Sequence, residues 1–219
     1  MAAPLLVIAT QNPGKIRELA ELLTGLGFTL KTLADYPHCP EVVEDGATFA
    51  ANATKKAVAV AQCTGLPALA DDSGLEVDAL GGRPGVHSAR YAADRTAPAR
   101  PRDEDNYRKL LDELAGVPAA QRTARFVCCM VLAFPGGRTV QAQGTCEGLI
   151  HTRPEGHSGF GYDPVFWLPA YQATMAQLGL AVKNRLSHRA KALAQLKTIL
   201  AELLRQEPDL FQPVQRLGT

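Results

Sequence analysis

Four short segments bring together residue types that could do chemistry. Thr10-Gln11-Asn12-Pro13-Gly14-Lys15 sets hydroxyl and amide donors, a turn-forming Pro-Gly pair and a positive charge side by side. If a helix opens there, its free N–H groups and its dipole favour an anion, and Lys15 adds to the pull. The spacing is not that of a P-loop, because only one glycine precedes the lysine. The competing reading is an ordinary turn in which Thr10 and Asn12 bond local backbone. The second segment, DDSGLEVDALGGRPGVHSARYA from Asp71 to Ala92, opens on two adjacent carboxylates. Such a pair repels itself unless a cation or a proton-transfer role offsets the repulsion. Hard carboxylate oxygens suit magnesium, which commonly joins a few protein oxygens to substrate phosphates. Glu41, Glu44 and Asp45 lie upstream, and Arg83, His87 and Arg90 could meet phosphate or solvent.

The third segment is Ser158-Gly159-Phe160-Gly161-Tyr162-Asp163-Pro164. Glycines on both sides of Phe160 let a flat ligand approach the backbone while the ring offers a stacking face, although a tight turn with one buried aromatic reads the same way. The fourth is Lys183 with Ser187-His188-Arg189, donors suited to a purine carbonyl or a phosphate, or else structural and solvated side chains.

The elements that must position these groups follow from apolar spacing. Residues 5–9 form an apolar run entering a turn, and Ile16, Leu19, Leu23 and Leu26 then recur at helical steps, which makes a strand–turn–helix unit. A second helix spans residues 48–62, with Phe49, Ala53, Ala57 and Val60 on one face. A short strand over 68–70 then meets Asp71-Asp72. Residues 92–105, rich in Pro, Arg and acid, read as an exposed loop, after which Asp103 can cap a helix with a Tyr107, Leu110, Leu111, Leu114 stripe. Residues 125–134 and 139–146 form a hairpin, and Ser187 caps a last helix carrying Leu193, Leu196, Leu200, Leu203 and Leu204. Beyond Pro208 the tail offers little to bury. The class is α/β with a mixed sheet.

Composition narrows the function. With 23 Lys plus Arg against 22 Asp plus Glu the net charge is +1, so nothing holds a polyanion non-specifically and stable nucleic-acid binding is not expected. The longest apolar run, residues 126–134, is too short to cross a bilayer, and the N-terminus lacks the layout of a secretory signal, which points to the cytoplasm. The five cysteines include no C-x-x-C pair, so they read as reduced thiols with no disulfide framework and no zinc cluster. Asn52-Ala53-Thr54 matches a glycosylation pattern by chance inside a helix.

Together, IATQNPGK, the DDSGLEVDALGGRPGVHSARYA stretch, SGFGYDPVF and SHRAKAL resemble, in order and separation, the Ham1/RdgB-type inosine triphosphate (dITP/XTP) pyrophosphatase family. The resemblance implies a homodimeric hydrolase that converts deaminated purine triphosphates (ITP, dITP, XTP) to the monophosphate and pyrophosphate, with magnesium as cofactor. It also implies a single domain over residues 1–219, built as an elongated mixed sheet with flanking helices and two lobes around a central nucleotide-binding cleft, while residues 206–219 read from the sequence itself as a poorly packed tail. Carried over residue by residue, Thr10, Gln11, Asn12, Pro13, Gly14 and Lys15 match its triphosphate-binding turn, and Asp72 its catalytic and metal-associated carboxylate. Ser73 matches a substrate contact; Phe160, Gly161, Tyr162 and Asp163 match the base-binding segment, and Lys183, His188 and Arg189 the residues that reach the base. Asp71 is expected to share the metal shell. Val43 stands where an acidic metal ligand is expected, which makes Glu44 the nearest substitute. The rival readings are a silent nucleotide sensor and a pyrophosphatase for another modified nucleotide.

Overall fold

The computed structural model describes residues 3–96 and 101–212. The first apolar run forms β1 (Leu5–Ile8), and Asn12 caps α1 (Pro13–Leu22): its side-chain oxygen accepts from the N–H groups of Gly14 and Lys15 at 2.9 and 3.2 Å. Pro13 opens the helix, where its missing N–H would have no partner anyway. β2 (Thr29–Thr32) then runs parallel to β1. Periodicity does not predict β2, because one exposed and three half-buried residues at a sheet edge carry no pattern to read. α2 (Phe49–Thr64) starts at Thr48, whose hydroxyl accepts from Ala51 N–H at 3.1 Å, and ends at Gly65 in the left-handed region.

β3 (Ala68–Val77) is longer than the sequence suggests. The strand expected to stop at Ala70 continues through Asp71 and Asp72, because Leu75 and Val77 beyond them are also fully buried and hold the extended backbone in the sheet. The acidic pair is therefore mid-strand. α3 (Ala93–Thr96) and α4 (Asp103–Glu113) follow. Within the expected 92–105 loop, residues 93–96 are thus helical and residues 97–100 lie outside the described residues. The hairpin is β4 (Thr123–Ala133) with β5 (Thr139–Ile150), and β6 (Phe166–Leu168), β7 (Ala173–Thr174), α5 (Leu180–Leu186) and α6 (His188–Gln206) complete the chain. The seven strands form one mixed sheet in the order β2-β1-β3-β4-β5-β6-β7, parallel at β2-β1-β3 and antiparallel at β5-β6-β7. The α/β class with a mixed sheet is as expected. Among the described residues no helix is long and apolar enough to cross a membrane.

Two compact units divide the chain: Met1–Asp72, Cys129–Gln143 and Ala192–Thr219 make the first, Ser73–Cys128 and Gly144–Lys191 the second. In the first, Leu6, Val7, Leu19, Ala53, Ala57, Leu69, Leu196 and Leu200 are all at most 1% exposed. The segment expected to be a poorly packed tail departs from that reading in part. Pro208–Phe211 forms a 3-10 turn, and Phe211 is fully buried with its ring 5.4 Å from those of both Phe28 and Phe134. Residues 213–219 lie outside the described residues. In the second unit the core gathers Leu75, Val77, Leu110, Leu114, Val165 and Phe166.

The cysteine expectation needs a correction. Cys39 and Cys63 are joined as a disulfide, while Cys128, Cys129 and Cys146 are buried free thiols. No local spacing announces the bond, because it arises where the chain before α2 folds back along that helix. Gly46 N–H meets Asn52, Asp45 meets Lys55, Glu44 meets Lys56, and Cys39 meets Cys63. Partners that step backward on one side and forward on the other describe an antiparallel strap laid on one helix face.

Candidate functional site

In the first unit, charge is concentrated around β3. Asp71 and Asp72 share one environment: the charges of both act on Lys56, and Asp72 also feels Lys15. Asp71 Oδ2 lies 3.1 Å from Lys15 Nζ, which joins the Thr10–Lys15 turn to the strand. Asp72 meets α2 instead: Asn52 Nδ2 donates to its Oδ2 at 3.0 Å, and Lys56 Nζ is 3.8 Å from its Oδ1. Lys56 also donates to Glu44 Oε1 at 2.5 Å and to the Asp71 carbonyl at 2.8 Å. Burial would lower the Lys56 ammonium, but the charges of Asp71, Asp72 and Glu44 override it and hold the group above its ordinary value. Burial pushes the Asp72 carboxyl up, against the pull of Lys56 and Lys15. Asp71, expected to share a metal shell with Asp72, pairs with Lys15 and also adds its charge to that around Lys56. Val43 is exposed and Glu44 is the acid turned toward Lys56.

The turn itself carries the local bonds of an ordinary turn. Thr10 Oγ1 accepts from Asn12 N–H at 3.2 Å and Asn12 caps α1, so both side chains serve the backbone. Those bonds fix Gln11, Asn12 and Pro13 in an exposed loop at the opening of a ten-residue helix, with Lys15 beside it.

In the second unit, residues 159–163 form a tight turn. Gly159 and Gly161 have φ of 85° and 63°, values open to glycine and strained for other residues. Asp163 is buried within the turn, where its Oδ2 accepts from Phe160 N–H at 2.9 Å and from Lys183 Nζ at 2.5 Å. Asp163 is therefore the anchor of the segment rather than an outward group. Lys183 Nζ stands 4.7 Å from the centre of the Phe160 ring and the Arg189 guanidinium 5.6 Å, both at cation–π distance. Arg189 Nη2 also donates to Ser73 Oγ at 3.4 Å. The His188 ring stacks on Phe126 at 4.8 Å, and Tyr162 donates its hydroxyl proton to the Ser88 carbonyl at 2.8 Å. Phe160, Lys183, Arg189 and Ser73 are thus brought together, whereas Tyr162 and Asp163 build the frame.

Sequence reasoning misses Asn52 and Lys56. They sit four apart on α2, beside its apolar stripe, and both are buried. Two polar residues at that spacing on the margin of a core-facing stripe were the available signal. Asn52, within the glycosylation pattern, lies buried in α2 with its side chain donating to Asp72.

A flat aromatic face with two cations beside it, and a lysine-centred cluster of carboxylates next to a helix-opening turn, are parts for handling a nucleotide. Comparison with known proteins gives the same ancestry. Residues 6–199 match the pattern of the Ham1 family. The chain is 54% identical to the dITP/XTP pyrophosphatase of Geobacter sulfurreducens over 88% of this chain and 94% of that one, and 54% identical to that of Geobacillus kaustophilus over 87% and 91%. The structure of a HAM1 protein from Coxiella burnetii superposes with a TM-score of 0.81 at 40% identity, covering 91% of this chain and 99% of that one. With nearly the whole chain aligned in sequence and in fold, this protein belongs to the Ham1 family.

Proposed function

We propose that the chain is a nucleoside triphosphate pyrophosphatase that hydrolyses deaminated purine nucleotides, ITP, dITP and XTP, to the monophosphate and pyrophosphate. The observation that carries the reading is Phe160 with Lys183 and Arg189: a stacking face beside fixed donors suits a base that presents a carbonyl at C6. Adenine presents its own donor there and would leave buried groups unpaired, a mismatch that can reject it by about 10⁴-fold. Lys183, His188 and Arg189 are the donors that reach the base in this reading, and Lys15 with the N–H groups of the Thr10–Lys15 turn takes the phosphates.

The donor set of the first unit fits a hard divalent cation, since Glu44 and Asp72 offer carboxylate oxygens beside Lys56, itself a cation held among acids. Glu44 and Asp72 would hold magnesium, which when bound neutralises charge developing on the phosphates. Asn52 steadies Asp72 by donating to its Oδ2, and Asp72 is the carboxylate that takes the proton of the attacking water. Water adds to the α-phosphorus as the bond to the β-phosphate oxygen breaks. Lys56 balances the negative charge of Glu44 and Asp72 throughout.

In this reading the enzyme is a homodimer in the cytoplasm and binds no nucleic acid stably. A reducing compartment would work against the Cys39–Cys63 bond, so there the pair is expected as thiols. The test is to supply ITP, GTP and ATP with magnesium and to measure pyrophosphate and orthophosphate separately. Pyrophosphate with IMP from ITP, and almost none from ATP, is expected; orthophosphate as the product, or no turnover, would remove the assignment. The turn offers a second check. A Cβ on Gly159 would lie 2.0 Å from Asp163 Oδ2 at a φ of 85°, so Gly159→Ala must displace the anchor of Phe160 and Lys183. We expect KM for ITP to rise about tenfold or more, since strain at such a φ and the displaced carboxylate each add roughly 1–2 kcal/mol. An unchanged KM would show that the turn does not hold the base.

A further inference from the structure

We propose that Asp103, on α4, is a positioning residue for the base-binding turn, setting the place of Phe160 by holding the N–H of Gly161. The proposal rests on the reading of residues 159–163 as the base-binding segment. Sequence assigns Asp103 to a helix cap, yet the capping position belongs to Arg102, and Asp103 Oδ2 instead accepts from Gly161 N–H at 2.7 Å. Asp163 accepts from the preceding N–H, that of Phe160, at 2.9 Å. Two consecutive amides are thus held by two carboxylates, and only one of these belongs to the turn. With a left-handed glycine on either side of Phe160, the turn has little conformational preference of its own and takes its shape from such outside contacts.

The helix that carries Asp103 is itself fixed. Leu110 and Leu114, on the same face about two and three turns further on, are fully buried in the core. Arg122 holds the far end by donating to the Leu114 and Val117 carbonyls, each at 3.0 Å. Asn106 accepts from Ala92 N–H at 2.8 Å, and Lys109 donates to the Tyr91 carbonyl at 2.8 Å. A helix pinned at its far end and along its side is a rigid post, and Asp103 is its point of contact with the turn. A cavity of about 300 Å³ opens there, lined by Asp103, Glu104 and Tyr107 from α4 and by Ser158, Phe160 and Gly161 from the turn.

Asp103→Ala and Asp103→Asn in the full chain test this. Asp103 is exposed and alanine favours helix, so both variants are expected to fold, which thermal melting checks. For Asp103→Ala we expect KM for ITP and Kd for IMP to rise about 3- to 10-fold, the effect of losing one charge-assisted hydrogen bond at an exposed site, with kcat within about twofold. Hydrogen exchange in a peptide covering residues 156–163 should become faster. Asp103→Asn keeps an acceptor oxygen and should stay near wild type in all three. Wild-type KM and exchange in Asp103→Ala would overturn the proposal, as would equal losses in both variants. Exchange needs no nucleotide, so a wild type that leaves ITP intact would remove the base-site reading while exchange alone still decided for or against the clamp.

Discussion

Asp72→Asn will lower turnover of ITP by about 10³-fold while leaving IMP affinity within a few-fold of wild type. The substitution is nearly isosteric. Its side-chain oxygen can still accept from Asn52 Nδ2, the bond that now fixes Asp72 at 3.0 Å, so α2 and β3 keep their contact. What disappears is the negative charge, and with it both a proton acceptor and a metal-binding oxygen. The base-binding residues lie in another part of the chain and keep their own anchors, the Lys183–Asp163 pair and the Phe160 N–H bond. A loss confined to kcat is therefore expected, read as pyrophosphate release at saturating ITP alongside calorimetry with IMP. Activity within tenfold of wild type would show that another group takes the proton, and a parallel loss of IMP binding would show that Asp72 acts through the fold.

The elements legible in the sequence are those whose cause is local. The β1-turn-α1 unit, the β4-β5 hairpin and α6 follow from apolar spacing interrupted by Asn12-Pro13-Gly14, Pro135-Gly136-Gly137 and Ser187, where the residue types themselves dictate the turn or cap. β3 was legible only as far as Ala70, because a charged pair in mid-strand contradicts strand composition and is tolerated here by Lys15, Lys56 and Asn52 from elsewhere in the chain. The same cause hid the rest. Asp103 joins Gly161 across 58 residues, and Cys39 joins Cys63 across 24, so neither partner marks the other. In the candidate site, Phe160, Lys183 and Arg189 could be named from type and order, but not the division of labour around them. That Asp163 anchors the turn and that Asp71 pairs with Lys15 are consequences of packing.

Lys56→Met will destabilise the protein by about 3–5 kcal/mol, the range for removing one partner of a buried charge pair, and lower Tm by roughly 10 °C. Methionine matches the volume and apolar stem of lysine, so packing on α2 is kept and the loss isolates the charge. Lys56 is only 8% exposed and reaches Glu44, the Asp71 carbonyl and Asp72 from one position. Without it Glu44 loses its ammonium partner, Asp72 loses the nearer pull of Lys56 while Lys15 still acts on it, and the strap before α2 loses one of its ties. Magnesium should then stabilise the variant more than it stabilises the wild type, because the added ion supplies the positive charge that the ammonium no longer does. Melting curves of both proteins with and without magnesium read this directly. A Tm within about 2 °C of wild type, or an equal magnesium effect on both, would mean that the carboxylates are neutralised by other groups and that Lys56 is not their counter-charge.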